Sequence, residues 1–279
     1  LENLRFHPGE QAKDKALGAE LAKLGDAYVN DAFGACHRKD VSMLALPAAM
    51  KGKPRVVGAL VAKELDILDR LLSNPPRPLL GILGGGKVSD KILFIKSLLA
   101  RVDRVLIGGA MTYTFLKAQG KNVGASRLEA DKLDVARQLL ELGKGKIALP
   151  VDHLAAEKID APRTARVVEG AIPDGWVGVD IGPKTIADYT DAVRKAATVV
   201  WNGPLGKFED EPYSKGTRAV AEAMAASKAV TIVGGGETAE AVEEFGLADR
   251  MTHVSTGGGA FLEYVQGTPF PALAEIDDK

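Results

Sequence analysis

The chain has 279 residues, 46% hydrophobic and 26% charged, with 36 Lys and Arg against 37 Asp and Glu for a formal net charge of −1. That length suits two domains with an ordinary core, and the balanced charge leaves no footprint for nucleic acid or a membrane surface. Cys36 is the one cysteine, which excludes an intramolecular disulfide and fits a reducing cytoplasm, and no apolar run is long enough to span a bilayer.

The sequence opens on Leu1-Glu2-Asn3-Leu4-Arg5-Phe6 and reads as part of a longer chain. Apolar spacing predicts a helix over 17–24, ended by Gly25, then a strand and loop over 26–33 leading to Gly34-Ala35-Cys36-His37-Arg38. His37 and Arg38 are candidates for an anion site, with an exposed surface pair as the plain alternative. Residues 56–72 carry apolar side chains at helical spacing and run into Pro75 and Pro76, so they read as a long helix feeding a new domain near residue 75. From there strands (79–83, 104–107, 146–149, 198–201, 229–233) alternate with helices (90–100, 111–119, 128–142, 183–196, 214–226, 238–245). Residues 151–180 read as irregular or strand-rich, an edge sheet over the ligand side. The alternation predicts an α/β fold, a Rossmann-like parallel sheet covered on both faces.

The most informative stretch is 79–91. Leu79, Leu80, Ile82 and Leu83 form the apolar run of a buried parallel strand. Gly84, Gly85 and Gly86 let the backbone turn and approach a ligand closely. Ser89 and Asp90 are capping residues, and the helix they open is expected to aim its N-terminal amides at an anion beside Lys87 and Lys91. The chemistry points to phosphate. The phosphate-loop pattern G-x-x-x-x-G-K-[ST] fits from Gly81 to Lys87 and fails at Val88, while G-x-G-x-x-G fits Gly84 and Gly86 and fails at Ser89.

A single such loop is explained by a tight turn with a solvated lysine. Three further glycine clusters, Gly108-Gly109, Gly234-Gly235-Gly236 and Gly257-Gly258-Gly259, also follow strand-like runs. Carboxyl ends of parallel strands share one edge, so these turns are expected to converge on one crevice lined with N–H groups. The loop after 198–201 belongs there too. Asn202 and Glu209 are candidates to hold a base and ribose, and Pro204 and Phe208 offer apolar contact, with a structural turn as the plain alternative.

The motifs LENLRF (1–6), NDAFGACHR (30–38), LGGGKVSDK (83–91), IGGAMTYTFLKAQG (107–120), LPVD (149–152), DIGPKT (180–185), WNGPLGKFE (201–209), GGGETA (234–239) and STGGGA (255–260) together resemble phosphoglycerate kinase, in that family's order and along the whole chain. The resemblance implies two Rossmann-like domains joined by a long helix. They would be a remnant of the 3-phosphoglycerate-binding domain (1–55), the interdomain helix (56–74), the nucleotide-binding domain (75–262) and a tail returning toward the first domain (263–279). It implies hinge closure and direct phosphoryl transfer between 1,3-bisphosphoglycerate and ADP, giving 3-phosphoglycerate and ATP, by a monomer in the cytoplasm with Mg2+ and no nucleic-acid or membrane partner.

By the same resemblance Arg5, His37 and Arg38 bind phosphoglycerate, and Lys87, Lys91, Gly235 and Gly258 act at the transferring group. Gly85, Gly109, Asn202, Pro204, Glu209, Gly234, Gly236, Glu237 and Thr238 bind the nucleotide, Glu209 at the ribose hydroxyls and Glu237 also as metal ligand. Cys36 has no nucleophilic role in such a transfer. The sequence departs from the family in three ways. It begins well inside the family's first domain, which implies an N-terminally truncated chain inactive on its own. Glu237 stands where the family has aspartate, and Asp40 where it usually has histidine. The competing readings are a nucleotide-binding fragment or pseudoenzyme, and a nicotinamide dehydrogenase. The last needs a ribose-binding acid where Gly108-Gly109 stands.

Overall fold

A computed structural model describes residues 2–277, which divide into two units: 2–73 with 256–277, and Asn74–Ser255. In the first unit β1 (Tyr28–Asn30) and β2 (Arg55–Val57) pair in parallel, with Val29 opposite Val56. The helix expected over 56–72 therefore starts later and spans Ala59–Ser73. Val56 and Val57 are β-branched and go to the strand. Asp31 Oδ1 then caps the helix, accepting from the Leu60 and Val61 amides at 2.8 and 3.2 Å. Gly58 makes room, since a β-carbon there would lie 2.3 Å from the Asp31 carboxyl carbon. The helix buries Val61, Glu64, Leu68 and Leu71. Glu64 Oε1 accepts from the amide and the hydroxyl of Thr256 at 2.7 and 2.9 Å, which offsets the cost of burying its charge. Phe33, Tyr264 and Phe270 cluster in the same unit, Tyr264 edge-on to both phenylalanines and the two phenylalanines tilted to each other.

The second unit contains β3 (Leu79–Leu83), β4 (Arg104–Ile107), β5 (Ile147–Ala148), β6 (Asp152–Ala156), β7 (Arg166–Glu169), β8 (Val177–Ile181), β9 (Thr198–Asn202), β10 (Val230–Gly234) and β11 (His253–Val254). Six of them form one sheet, ordered β11-β10-β9-β3-β4-β5, and every pairing in it is parallel. All of β3 and β9 is buried, as a sheet covered on both faces requires. One face packs Leu80, Ile82, Val199, Trp201 and Val233 against Tyr189 and Val193 of helix Pro183–Lys195 and Val220 and Met224 of helix Lys215–Ala226.

The stretch 151–180 becomes a three-stranded antiparallel sheet, β7-β6-β8. The helix expected from 128 begins only at Leu133. Residues before it are instead tied to the start of β8: the Ala125 amide donates to the Trp176 carbonyl at 2.8 Å, and the Gly178 amide donates to Ser126 Oγ at 2.9 Å. The unit closes at Ser255, so residues 256–262, expected with the nucleotide domain, group with the first unit.

Candidate active site

Register sets the site. Leu83 is level with Ile107 on one side and Asn202 on the other, and Asn202 is level with Gly234. Four strands therefore end in one row, and the loops leaving them interlock through backbone. The Gly84 amide donates to the Asn202 carbonyl at 3.0 Å, Gly85 to Pro204 at 2.9 Å, Gly109 to Leu205 at 2.8 Å, and Met111 to Gly85 at 3.0 Å. Gly109 combines tight packing with a left-handed backbone. Its φ is +64°, and a β-carbon there would lie 2.4 Å from the Gly85 nitrogen and 2.8 Å from the Pro204 oxygen.

These loops and the start of β8 enclose an open cavity of about 260 Å³. That is just below the range of roughly 300–1,000 Å³ usual for small-molecule sites. Of the residues singled out in the sequence, Gly85, Gly86, Gly109, Pro204, Glu209 and Glu237 line it. Tyr113, Arg127, Ile159, Val177, Gly178, Val179 and Lys207 line it too and were not foreseen. Tyr113 and Arg127 lie in or after the helix that follows Gly109, but no local pattern marks them as lining residues.

Asn202 and Thr238 are fully buried behind the wall. Asn202 Nδ2 donates to the Gly234 carbonyl at 2.8 Å, and the Gly203 amide donates to Thr238 Oγ1 at 2.6 Å. Both side chains stitch the loop after β9 to the loop after β10. Gly235, with φ +96°, precedes helix Gly236–Glu244, and a β-carbon on it would meet Asn202 Nδ2 at 2.7 Å.

The charges are distributed unequally. Lys91 Nζ turns under the loops and donates to the carbonyls of Gly84 and Asn202 at 2.7 and 3.1 Å. Burial pushes its pKa down to about 8, against the opposing pull of Glu237 and Asp90. Lys87 is exposed. The amides of Val88 and Ser89, expected to face an external anion, are already taken: both donate to Glu129 Oε2, at 2.5 and 3.1 Å, and Ser89 Oγ donates to Oε1 at 2.6 Å. An internal carboxylate thus occupies that amide nest. Glu209 and Glu237 are exposed on the cavity rim.

In the first unit Arg5 pairs with Asp40 at 3.2 Å, so the acid at position 40 neutralises an expected anion-binding cation. His37 and Arg38 are half-buried, and His37 Nδ1 is buried without a hydrogen-bond partner among the described residues. The third glycine triplet belongs to this unit. Gly257 packs on Phe33, where a β-carbon would lie 2.3 Å from the ring, and Gly258 (φ +43°) opens the helix Gly259–Val265. Cys36 is fully buried, which pushes its thiol up to about 11 and keeps it neutral at pH 7.

The profile of the phosphoglycerate kinase family matches residues 1–268. The chain belongs to the phosphoglycerate kinase family. Among its relatives, the phosphoglycerate kinase of Rhodopirellula baltica is 51% identical over 281 residues, covering 100% of this chain and 71% of that protein. That of Anaeromyxobacter dehalogenans is 51% identical over 282 residues with the same coverage. Among solved structures, Coxiella burnetii phosphoglycerate kinase superposes with a TM-score of 0.90 at 41% identity, over 98% of this chain and 71% of that one. The Pyrococcus horikoshii enzyme gives 0.81 at 28% identity, over 94% and 68%. Membership makes the chain a phosphotransferase of glycolysis, of a family whose substrates include ADP and ATP. Among the described residues no helix is long and apolar enough to cross a membrane.

Phosphoglycerate kinases typically work with Mg2+, and the donor set here is compatible with it. Among the described residues no three His, Cys, Asp or Glu side chains cluster as a self-sufficient metal cage. Mg2+ seldom uses such a cage and binds instead through one or two carboxylates, water and substrate phosphates. Exposed Glu237, on the first turn of its helix at the cavity rim, is a carboxylate of that kind.

Proposed function

We propose that the chain carries out the family's reaction, moving a phosphoryl group between 1,3-bisphosphoglycerate and ADP to give 3-phosphoglycerate and ATP, as a monomer in the cytoplasm. The observation that supports this most is the cavity at the carboxyl ends of the parallel strands, floored by the backbone of Gly85 and Gly109 and rimmed by Glu209 and Glu237. In this reading the second unit takes the nucleotide. The base lies against the apolar wall, Glu209 accepts from the ribose hydroxyls, and Lys87 and the exposed amide of Gly236 meet the phosphates. Glu237 holds Mg2+, which when bound neutralises phosphate charge. The first unit supplies Arg5, His37 and Arg38 to phosphoglycerate.

Such a transfer asks for position, charge neutralisation and exclusion of water more than for covalent catalysis. Lys91 is suited to it. With a pKa near 8 it is mostly protonated at neutral pH, and its two carbonyl bonds hold the charge under the glycine loop.

The test is calorimetric titration with ADP, with and without Mg2+, alongside assay of ATP formation from 1,3-bisphosphoglycerate. Saturable binding is expected, weakened about tenfold by Lys87→Ala, the scale of one charge-assisted contact, and made insensitive to Mg2+ by Glu237→Ala. Binding without ATP formation would leave a nucleotide-binding protein. No binding by the folded chain would end the reading.

A further inference from the structure

Arg127 stands out among the lining residues. Its guanidinium lies along Gly86, where a β-carbon would meet Nη1 at 2.7 Å, and Arg127, an exposed residue, lines the cavity together with Ile159 and Val177. Among the described residues it makes no hydrogen bond or ion pair, so its donors are free. Its backbone is fixed at the apolar end: Ser126 Oγ holds the Gly178 amide at 2.9 Å and the Ala125 amide holds the Trp176 carbonyl at 2.8 Å. The wall around it is Ile159, Val177, Gly178 and Val179, a surface for a flat ring rather than for phosphate oxygens.

Guanidinium only donates. A purine with a 6-oxo group offers two adjacent acceptors, O6 and N7, matched to the arginine fork, whereas adenine offers N7 beside an amino donor. We infer that Arg127 makes this cavity a reader of 6-oxopurines, so that the chain accepts guanosine and inosine diphosphates at least as readily as ADP. This rests on the nucleotide reading above and goes beyond it in naming the base and the residue that selects it. Lysine would keep the charge without the fork.

The experiment titrates ADP, GDP and IDP into the full chain, and into Arg127→Leu and Arg127→Lys, at fixed Mg2+. The wild-type chain is expected to bind GDP and IDP as tightly as ADP or more so. Both variants should lose GDP and IDP affinity by about tenfold, the scale of one bidentate base contact, while ADP affinity changes less than about threefold. IDP following GDP identifies the O6/N7 edge, since it lacks the 2-amino group; GDP tightness without IDP overturns that edge. Equal losses of ADP and GDP in Arg127→Leu mean a phosphate contact and overturn the inference. So does a wild-type chain that binds GDP more weakly than ADP. Loss of every nucleotide from the wild-type chain removes the nucleotide reading itself, whereas normal ADP binding with GDP and IDP affinities unchanged in both Arg127 variants removes only the role of Arg127.

Discussion

Gly109 and Gly246 form a matched pair for testing whether interlocked backbone builds the site. Both have positive φ, +64° and +68°. An alanine in that conformation costs about 1–2 kcal/mol. The surroundings differ. A β-carbon at Gly246 meets nothing within 4 Å, whereas at Gly109 it would press on the Gly85 nitrogen, the Gly85 oxygen and the Pro204 oxygen at 2.4, 2.7 and 2.8 Å. Those atoms are backbone and cannot rotate away, so overpacking adds about 1–3 kcal/mol. Gly109→Ala should therefore destabilise the second unit by about 2–5 kcal/mol and Gly246→Ala by about 1–2 kcal/mol. Urea unfolding followed by tryptophan fluorescence reads this directly, because both tryptophans, Trp176 and Trp201, lie in that unit. ADP affinity should fall by about tenfold or more in Gly109→Ala, since 1.4 kcal/mol of cavity distortion suffices, and stay unchanged in Gly246→Ala. Equal destabilisation of the two variants, with ADP binding intact in both, would refute the idea that loop interlock holds the cavity.

The other expectations concern charge. Lys91 has a folded pKa of about 8 against 10.5 unfolded, so between those values the unfolded chain holds more protons and stability rises with pH; Lys91→Met should flatten this slope in urea titrations at pH 7.5 and 10. Asp180, buried beneath the loop after β9, is pushed up to about 7 by burial despite the Gly216 and Ile181 amides and the charge of Lys215. The folded chain thus keeps a proton that the unfolded chain loses from about pH 4 upward, and stability falls as pH rises to 7; Asp180→Asn should remove that fall in melts at pH 4.5 and 7.5. Glu129→Ala leaves the Val88 and Ser89 amides without their acceptor and should cost about 1–3 kcal/mol in chemical denaturation, with weaker ADP binding by calorimetry.

What the residues announced in advance follows from range. The strands of the main sheet read clearly because a parallel strand buried on both faces is an unbroken apolar run, and the row of glycine turns followed from their position after those runs. Val56 and Val57 misled because a β-branched pair at the head of a helical pattern satisfies either period, and the pairing with β1 decided it. Glu129 was hidden inside a stretch read as helix, and Arg127 stands just before it in a stretch given no role. Their partners lie at Val88, Ser89 and Gly86, and nothing local in the sequence signals a contact across 41 residues. Asn202 and Thr238 have side chains that would serve a ligand or a loop equally well, and only the geometry showed them bonded to Gly234 and Gly203.

The division of the chain has a consequence for its synthesis. Residues 74–255 are one uninterrupted stretch, whereas the smaller unit is assembled from both sides of it: Arg55 binds Asp277 across 222 residues and Glu64 binds Thr256 across 192. On a ribosome that feeds the chain out from its N-terminus, the larger unit is complete while the smaller still lacks Thr256, and the two bonds that Thr256 donates to Glu64 form only after that residue emerges. The smaller unit is therefore begun first and completed last, the order of birth being the reverse of the order of completion.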